Sequence, residues 1–166
     1  MRRRGATLTP TSVAVLAVLA LATSCAAQAT DDRSLVLNEI EINPAGLDHG
    51  KEWVEILNLS DDPIDLAGWT ISYTYRGPGT LPLVDAPHTL GPGERFVFIY
   101  PRIALRNATS NVIRLIDPVG WIADESSALL DKDDTDATWQ RFPDGGDPWF
   151  PDLWILNAAT RGRTND

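Results

Sequence analysis

Carboxylates are the reactive groups that this chain carries in quantity: Asp and Glu number 23 among 166 residues, against 14 Lys and Arg, for a formal charge of −9. Two carboxylates facing each other across a cleft could share general-acid and general-base work, as in glycoside hydrolysis, and Glu52 with Glu55 is one such pair by spacing. So acidic a composition produces close pairs without selection for chemistry, so the spacing carries little weight. Asp131, Asp133, Asp134 and Asp136 could offer oxygen ligands to calcium, but the segment has Asp136 and Phe142 where the best-known calcium loop has glycine and glutamate. It reads as a solvated loop. His49 and His88 are the only histidines, and neither has a cysteine or second histidine at ligand spacing, which removes support for zinc. No nucleophile motif, phosphate loop or metalloprotease helix is present. The expectation is a chain without catalytic residues, metal or cofactor.

Aromatic residues are the second candidate chemistry. Of the six tryptophans, Trp53 and Trp69 fall in strand patterns and are expected in the core. Trp149 and Trp154 sit among prolines and acids, where they form either an exposed platform for a sugar or peptide or a tail folded back onto the sheet. They are the candidate ligand-binding residues. Trp139 and Arg141 share one strand face, so a guanidinium stacked on an indole is expected as a brace. Asn58 and Asn107 each begin a glycosylation sequon, relevant only in a host with that machinery.

The amino-terminal segment has the order of an export signal: Arg2 to Arg4, the apolar run Val13 to Ala22, then small residues. The run falls short of the roughly 20 apolar residues that span a bilayer. Two cleavage readings stand side by side. Ala27-Gln28-Ala29 suits release of a soluble chain from Thr30, giving a signal peptide over 1–29 and a domain over 30–166. Ala22-Thr23-Ser24-Cys25 resembles a bacterial lipobox with alanine where leucine is usual, and makes Cys25 a lipidation site at the end of a signal closing at Ser24. Cys25 is the only cysteine, so the mature domain holds no disulfide and depends on packing. Its acidic surface repels phosphate backbones, and nucleic acid is not an expected partner.

These groups must be positioned by strands. Short apolar or alternating runs recur beyond residue 34, divided by turn signals, with no helical pattern of ordinary length. Strands are expected over Leu35 to Ile42, Glu52 to Asn58, Ile64 to about Tyr75, Arg95 to Tyr100 (buried on both faces), and a hairpin from Val112 to Ala123. A last strand is expected over Trp139 to Phe142. Arg76 to Leu90, rich in glycine and proline, reads as a surface loop. The sum is an all-β sandwich or barrel of about seven strands.

Taken in order, "VLNEIEINP", "EWVEILNLS", "DLAGWTI", "LGPGERFVFI", "VIRLIDPVGWIAD", "TWQRFPDG" and "ATRGRTN" resemble the lamin tail domain family across Val36 to Asn165. The departures are the long loop before Leu90, the acidic insert near Asp133, and Arg161-Gly162-Arg163 in place of a proline-glycine turn. The resemblance implies an immunoglobulin-like β-sandwich without catalytic residues. It implies a binding or structural module, here exported and held at the outer cell surface or secreted, whose partner is an extracellular protein or a polysaccharide. Contact with membrane is expected through the lipid anchor only. A carbohydrate-binding module using Trp149 and Trp154, and a small secreted hydrolase, are the alternative functions.

Overall fold

The computed structural model describes residues 33–147 and 153–165; Cys25 with the segment expected to direct export, and Trp149, lie outside the described residues. Among the described residues there is no helix and there are eleven strands. They are β1 (Leu35–Glu41), β2 (Trp53–Asn58), β3 (Ile64–Asp65), β4 (Thr70–Tyr73), β5 (Gly79–Pro82), β6 (Thr89–Leu90), β7 (Arg95–Ile99), β8 (Arg114–Ile116), β9 (Ile122–Glu125), β10 (Ala137–Arg141) and β11 (Trp154–Ala158). A five-stranded sheet runs in the order β11-β10-β1-β2-β7, a four-stranded sheet in the order β5-β4-β8-β9, and β3 pairs with β6. Every pairing is antiparallel. The two larger sheets form the expected immunoglobulin-like β-sandwich.

Alternation along the strands builds the core. Leu35, Leu37, Ile40, Ile42, Val54 and Ile56 from β1, β2 and their flank pack in one cluster with Trp69, Ile71 and Leu115 from the opposing side. Each such aliphatic side chain contributes about 1.5–3 kcal/mol on full burial. The tie is reinforced by Tyr100, whose hydroxyl donates to the Ser72 carbonyl at 2.7 Å, and by its edge-on contact with Phe98.

The alternation in "LVLNEIEI" breaks once. Register shifts between Leu37 and Glu39, so Asn38 is the extra residue of a bulge and Leu37 and Ile40 can both face the core three positions apart. The ladder to β10 pairs only Glu39 and Ile40, which leaves the backbone of Leu37 beyond it. A buried ion pair satisfies that backbone. The Leu37 amide donates to Asp124 Oδ2 at 2.8 Å; its carbonyl accepts from Arg141 Nε at 2.7 Å; and Arg141 Nη2 bonds Asp124 Oδ2 at 2.6 Å. Arg141 is fully buried, and its guanidinium lies 4.9 Å from the Trp154 ring centre.

The carboxyl-terminal segment closes the other side of the bulge. Asn165 Nδ2 donates to the carbonyls of Asn38 and Arg141, both at 2.9 Å, bridging β1 and β10 where their ladder opens. Asn38 donates to Glu55 and Asp144 and accepts from the Gly145 amide. Glu39 Oε1 accepts from Thr138 Oγ1 at 2.5 Å and from the Thr160 amide at 2.8 Å. The Gly162 amide donates to Glu55 Oε2 at 2.6 Å. A proline-glycine turn is thus unnecessary: Gly162 supplies the positive φ and the donor by itself.

Several expectations are corrected. Trp154 belongs to the core cluster, in a strand that follows the expected last one, so it offers no platform. The brace forms, but Arg141 covers Trp154 instead of Trp139. Trp53 is buried as expected, and Arg161 lies over its ring. The Arg76 to Leu90 segment contains β5 and β6 and sends Leu83 and Leu90 inward. Strand β7 is an edge paired only with β2, and Ile99 is 44% exposed, so this run is not buried on both faces.

Removing one member of a buried ion pair strands the other, at about 3–5 kcal/mol. Arg141→Ala should lower the unfolding free energy by about that amount in denaturant titration. Arg141→Met combined with Asp124→Leu should recover part of the loss; a double variant as unstable as Arg141→Ala would show that the pair's backbone bonds dominate.

Candidate functional site

The acidic pair read from the sequence does not converge. Three positions apart on β2 and its lead-in, Glu52 and Glu55 project to opposite faces of the sheet. Glu55 is consumed by the bulge network, accepting from Asn38 and Gly162 with Arg95 Nε at 3.3 Å. Glu52 accepts the amides of Ala104 at 2.5 Å and Leu105 at 3.1 Å. The acidic loop is also structural: Asp136 accepts from the Ala45 amide, Asp134 from the Gly46 amide, and Asp131 from the Asp133 amide. Among the described residues no group of three or more His, Cys, Asp or Glu converges to hold a metal.

Burial moves these carboxyls upward. Desolvation raises Glu41 to about 8 against the partial relief of the Asn43 amide, with Asp131, Asp136 and Glu39 adding repulsion. Desolvation likewise raises Glu52 to about 7, although two amides favour its charged form. Glu55 is raised for the same first reason. Glu41 lines a cavity of about 320 Å³ with Lys51, Trp53, Asp136 and Arg161, where the neighbouring Asp136 adds repulsion and the two cations offset it.

The open chemistry lies at the end of the sandwich where the β4–β5 turn meets the loop after β7. A cleft of about 480 Å³ is lined there by His49, Tyr73, Tyr75, Arg76, Arg102 and Ile103, among others. A second lobe of about 440 Å³ shares Tyr75, Arg76 and Ile103 and adds Asp48, Arg106, Asn107 and Thr109. Both volumes fall within the roughly 300–1,000 Å³ of small-ligand sites.

One peptide fastens the two walls. The Ala104 carbonyl accepts from the Thr74 and Tyr75 amides at 2.9 and 2.7 Å, while its own amide is held by Glu52. Asn111 Oδ1 accepts from Thr74 Oγ1 and from the Arg106 amide, and Arg106 Nε donates to the Thr74 carbonyl. Asn107 Nδ2 donates to Asn43 and Asp48, so its sequon nitrogen is engaged; the other sequon begins at Asn58, which is fully buried.

The arginines of this cleft are placed over rings. The Arg76 guanidinium carbon is 5.3 Å from the Tyr75 ring centre, and that of Arg102 is 5.7 Å from Tyr73. Tyr73 lies across its cross-strand partner Gly79, where a β-carbon would collide with the phenol. Arg76 has φ 58°, the only positive value at a non-glycine position among the described residues. That backbone costs about 1–2 kcal/mol for an L-residue. Arg95, Arg114 and Arg141 form salt bridges, whereas Arg76, Arg102 and Arg106 form none among the described residues. The sequence contained a signal for this site: a Tyr-x-Tyr-Arg-Gly turn with Arg102 and Arg106 following a strand, which reasoning on tryptophans and acids passed over.

In comparison with known proteins, a model of the Lamin Tail Domain family matches residues 28–143. No curated protein and no solved structure matches the chain. The hydrogen-bonded unit continues past the matched interval, through β11 to Asn165.

Two outcomes follow. A carboxyl raised from 4.5 to about 8 makes the folded state bind its proton more tightly than the unfolded chain. The stability contributed by Glu41 is fully present below pH 4.5 and lost as pH rises through about 8, and that of Glu52 is lost through about 7. Denaturant unfolding should therefore show stability falling from pH 5 to pH 9, and Glu41→Gln should flatten the upper part of that decline; a wild-type profile that rises over this range would refute it. Arg76→Gly should raise stability by up to about 1 kcal/mol, since relief of the left-handed strain outweighs the added unfolded-state entropy. Calorimetry that shows a lower melting temperature would contradict it.

Proposed function

The chain belongs to the lamin tail domain family, and from that premise we propose that it is a non-catalytic binding module held at the outer cell surface, with the arginine-tyrosine cleft as its contact site. One observation carries the reading. In a chain of formal charge −9, where acids outnumber bases, Arg76, Arg102 and Arg106 of the cleft form no salt bridge among the described residues, while buried acids elsewhere are tied into structural hydrogen bonds. Arg76 and Arg102, each laid over a tyrosine ring, present forked donors oriented for a planar anion, while Arg106 is held by its Nε on the Thr74 carbonyl.

Export is supported by the Arg2 to Arg4 cluster before the Val13 to Ala22 run, and anchoring by Cys25 at its end. Acyl chains on Cys25 would hold the domain by burying methylenes at about 0.8 kcal/mol each. The tip of the β8–β9 hairpin suits this placement: Val119 and Trp121 are 77% and 75% exposed, and they share a cleft with Arg33, at the start of the described chain. An indole at such a tip fits the water–lipid boundary.

The proposal is tested by fractionating host cells that express the wild type and Cys25→Ser. The wild type should remain with the membrane, and its first mature residue should be a lipid-modified Cys25 by mass spectrometry. The variant should appear in the medium. A wild-type chain that begins at Thr30 and is released would replace anchoring by secretion.

A further inference from the structure

The polar make-up of the cleft narrows its ligand. Arg102 covers Tyr73 and Arg76 covers Tyr75, and the phenol of Tyr73 rests against Gly79. Rings already covered in this way are poor stacking platforms for a nucleobase or a neutral sugar face, each of which needs a bare aromatic surface. What the cleft offers instead is charge-assisted hydrogen bonding from two guanidiniums, flanked by phenol hydroxyls.

The two lobes differ in charge. The first is lined by Arg76 and Arg102 with no carboxylate among its lining residues. The second also touches Arg76 and adds Arg106, but it contains Asp48, whose Oδ2 is fixed by Asn107 Nδ2 at 3.0 Å, so beyond the shared Arg76 its charges cancel. Asp48 offsets the charge of Arg106, whose Nε is already engaged with the Thr74 carbonyl, and accepts hydrogen bonds from hydroxyls. A ligand that matches both lobes is anionic at the unit between Arg76 and Arg102 and hydroxyl-rich and neutral at the next. A run of acidic peptide residues or a phosphodiester chain repeats its charge at every unit and would set one against Asp48.

We propose that this cleft binds an acidic polysaccharide in which a uronate residue adjoins a neutral sugar, the uronate carboxylate lying between Arg76 and Arg102 and the neutral unit beside Asp48. This rests on the reading of the domain as a binding module and names its ligand class. Non-specific attraction is not the basis, because the protein as a whole is acidic and repels polyanions at long range.

The experiment is calorimetric titration of the purified chain with a hyaluronan octasaccharide, which alternates glucuronate and N-acetylglucosamine. Comparison titrations use its carboxyl-reduced form, hexaglutamate and an eight-nucleotide oligothymidylate. The octasaccharide should bind, carboxyl reduction should weaken binding at least tenfold, and so should Arg102→Ala and Arg76→Gly, the latter in a protein at least as stable as wild type. Arg163→Ala, on the exposed carboxyl-terminal turn, should bind like wild type. Asp48→Asn should improve hexaglutamate more than the octasaccharide. Failure of the octasaccharide to bind, equal binding of its reduced form, tighter binding of either comparison polymer, or indifference to Arg102→Ala would each overturn the inference. Chromatography of the recovered octasaccharide separates the two levels: shortened products would overturn the non-catalytic reading itself, whereas intact sugar without affinity removes only this ligand class.

Discussion

A single irregularity in β1 organises the domain. The bulge at Asn38 keeps Leu37 and Ile40 in one core but leaves the amide and carbonyl of Leu37 without a strand partner, deep inside the molecule. An unmet pair of buried backbone groups costs several kcal/mol, so something must meet them. Asp124 and Arg141 do so, and because Asp124 sits on β9 and Arg141 on β10, the repair also ties the four-stranded sheet to the five-stranded one. The ion pair by itself is weak evidence for stability, since its desolvation offsets much of its attraction. Its value here is registry: only one alignment of the sheets brings those two charges to that backbone.

The same irregularity explains why the fold extends to the carboxyl terminus. With the β1–β10 ladder open beyond Glu39, the carbonyls of Asn38 and Arg141 face outward, and Asn165 bridges both. Glu39 and Glu55 then hold Thr160 and Gly162 over the outer face. Acidic residues that alternate outward on β1 and β2 would ordinarily be read as a solvated surface. They are buried because a tail of small residues with free amides lies on them, and the carboxylates replace the water that the tail excludes.

The strands were legible in the sequence where side-chain alternation set them. β1, β2, the β8–β9 hairpin and β10 lie close to where periodicity places them, since half-buried strands write their geometry into every second residue. β3 lies inside the single run read from Ile64 to about Tyr75, which the structure divides into β3 and β4, whereas β5, β6 and β11 escaped: β6 spans only two residues, and the other two lie in or just after proline-rich stretches, where pairing depends on neighbours far along the chain. The site was less legible still. Trp154 drew attention by residue type, yet its surroundings are fixed by Arg141, thirteen positions earlier and buried. Arg76 and Arg102 are unremarkable as letters and become a site only when Ala104 brings their loops together.

Where open chemistry can exist is decided by what the sandwich has already closed. The inner faces are sealed by aliphatic packing, and part of the outer face of the five-stranded sheet is sealed by its own tail. That leaves the loop ends, and among the described residues the β4–β5 turn is the one that holds a non-glycine residue at positive φ. A glycine at position 76 would relax the turn, as glycine does at the neighbouring Gly77 with φ 122°. Keeping arginine there holds a guanidinium over Tyr75 at the cost of that relaxation, so the strain and the charge sit on one residue. A locally unfavourable backbone at the mouth of a cleft is a feature that stability alone does not account for.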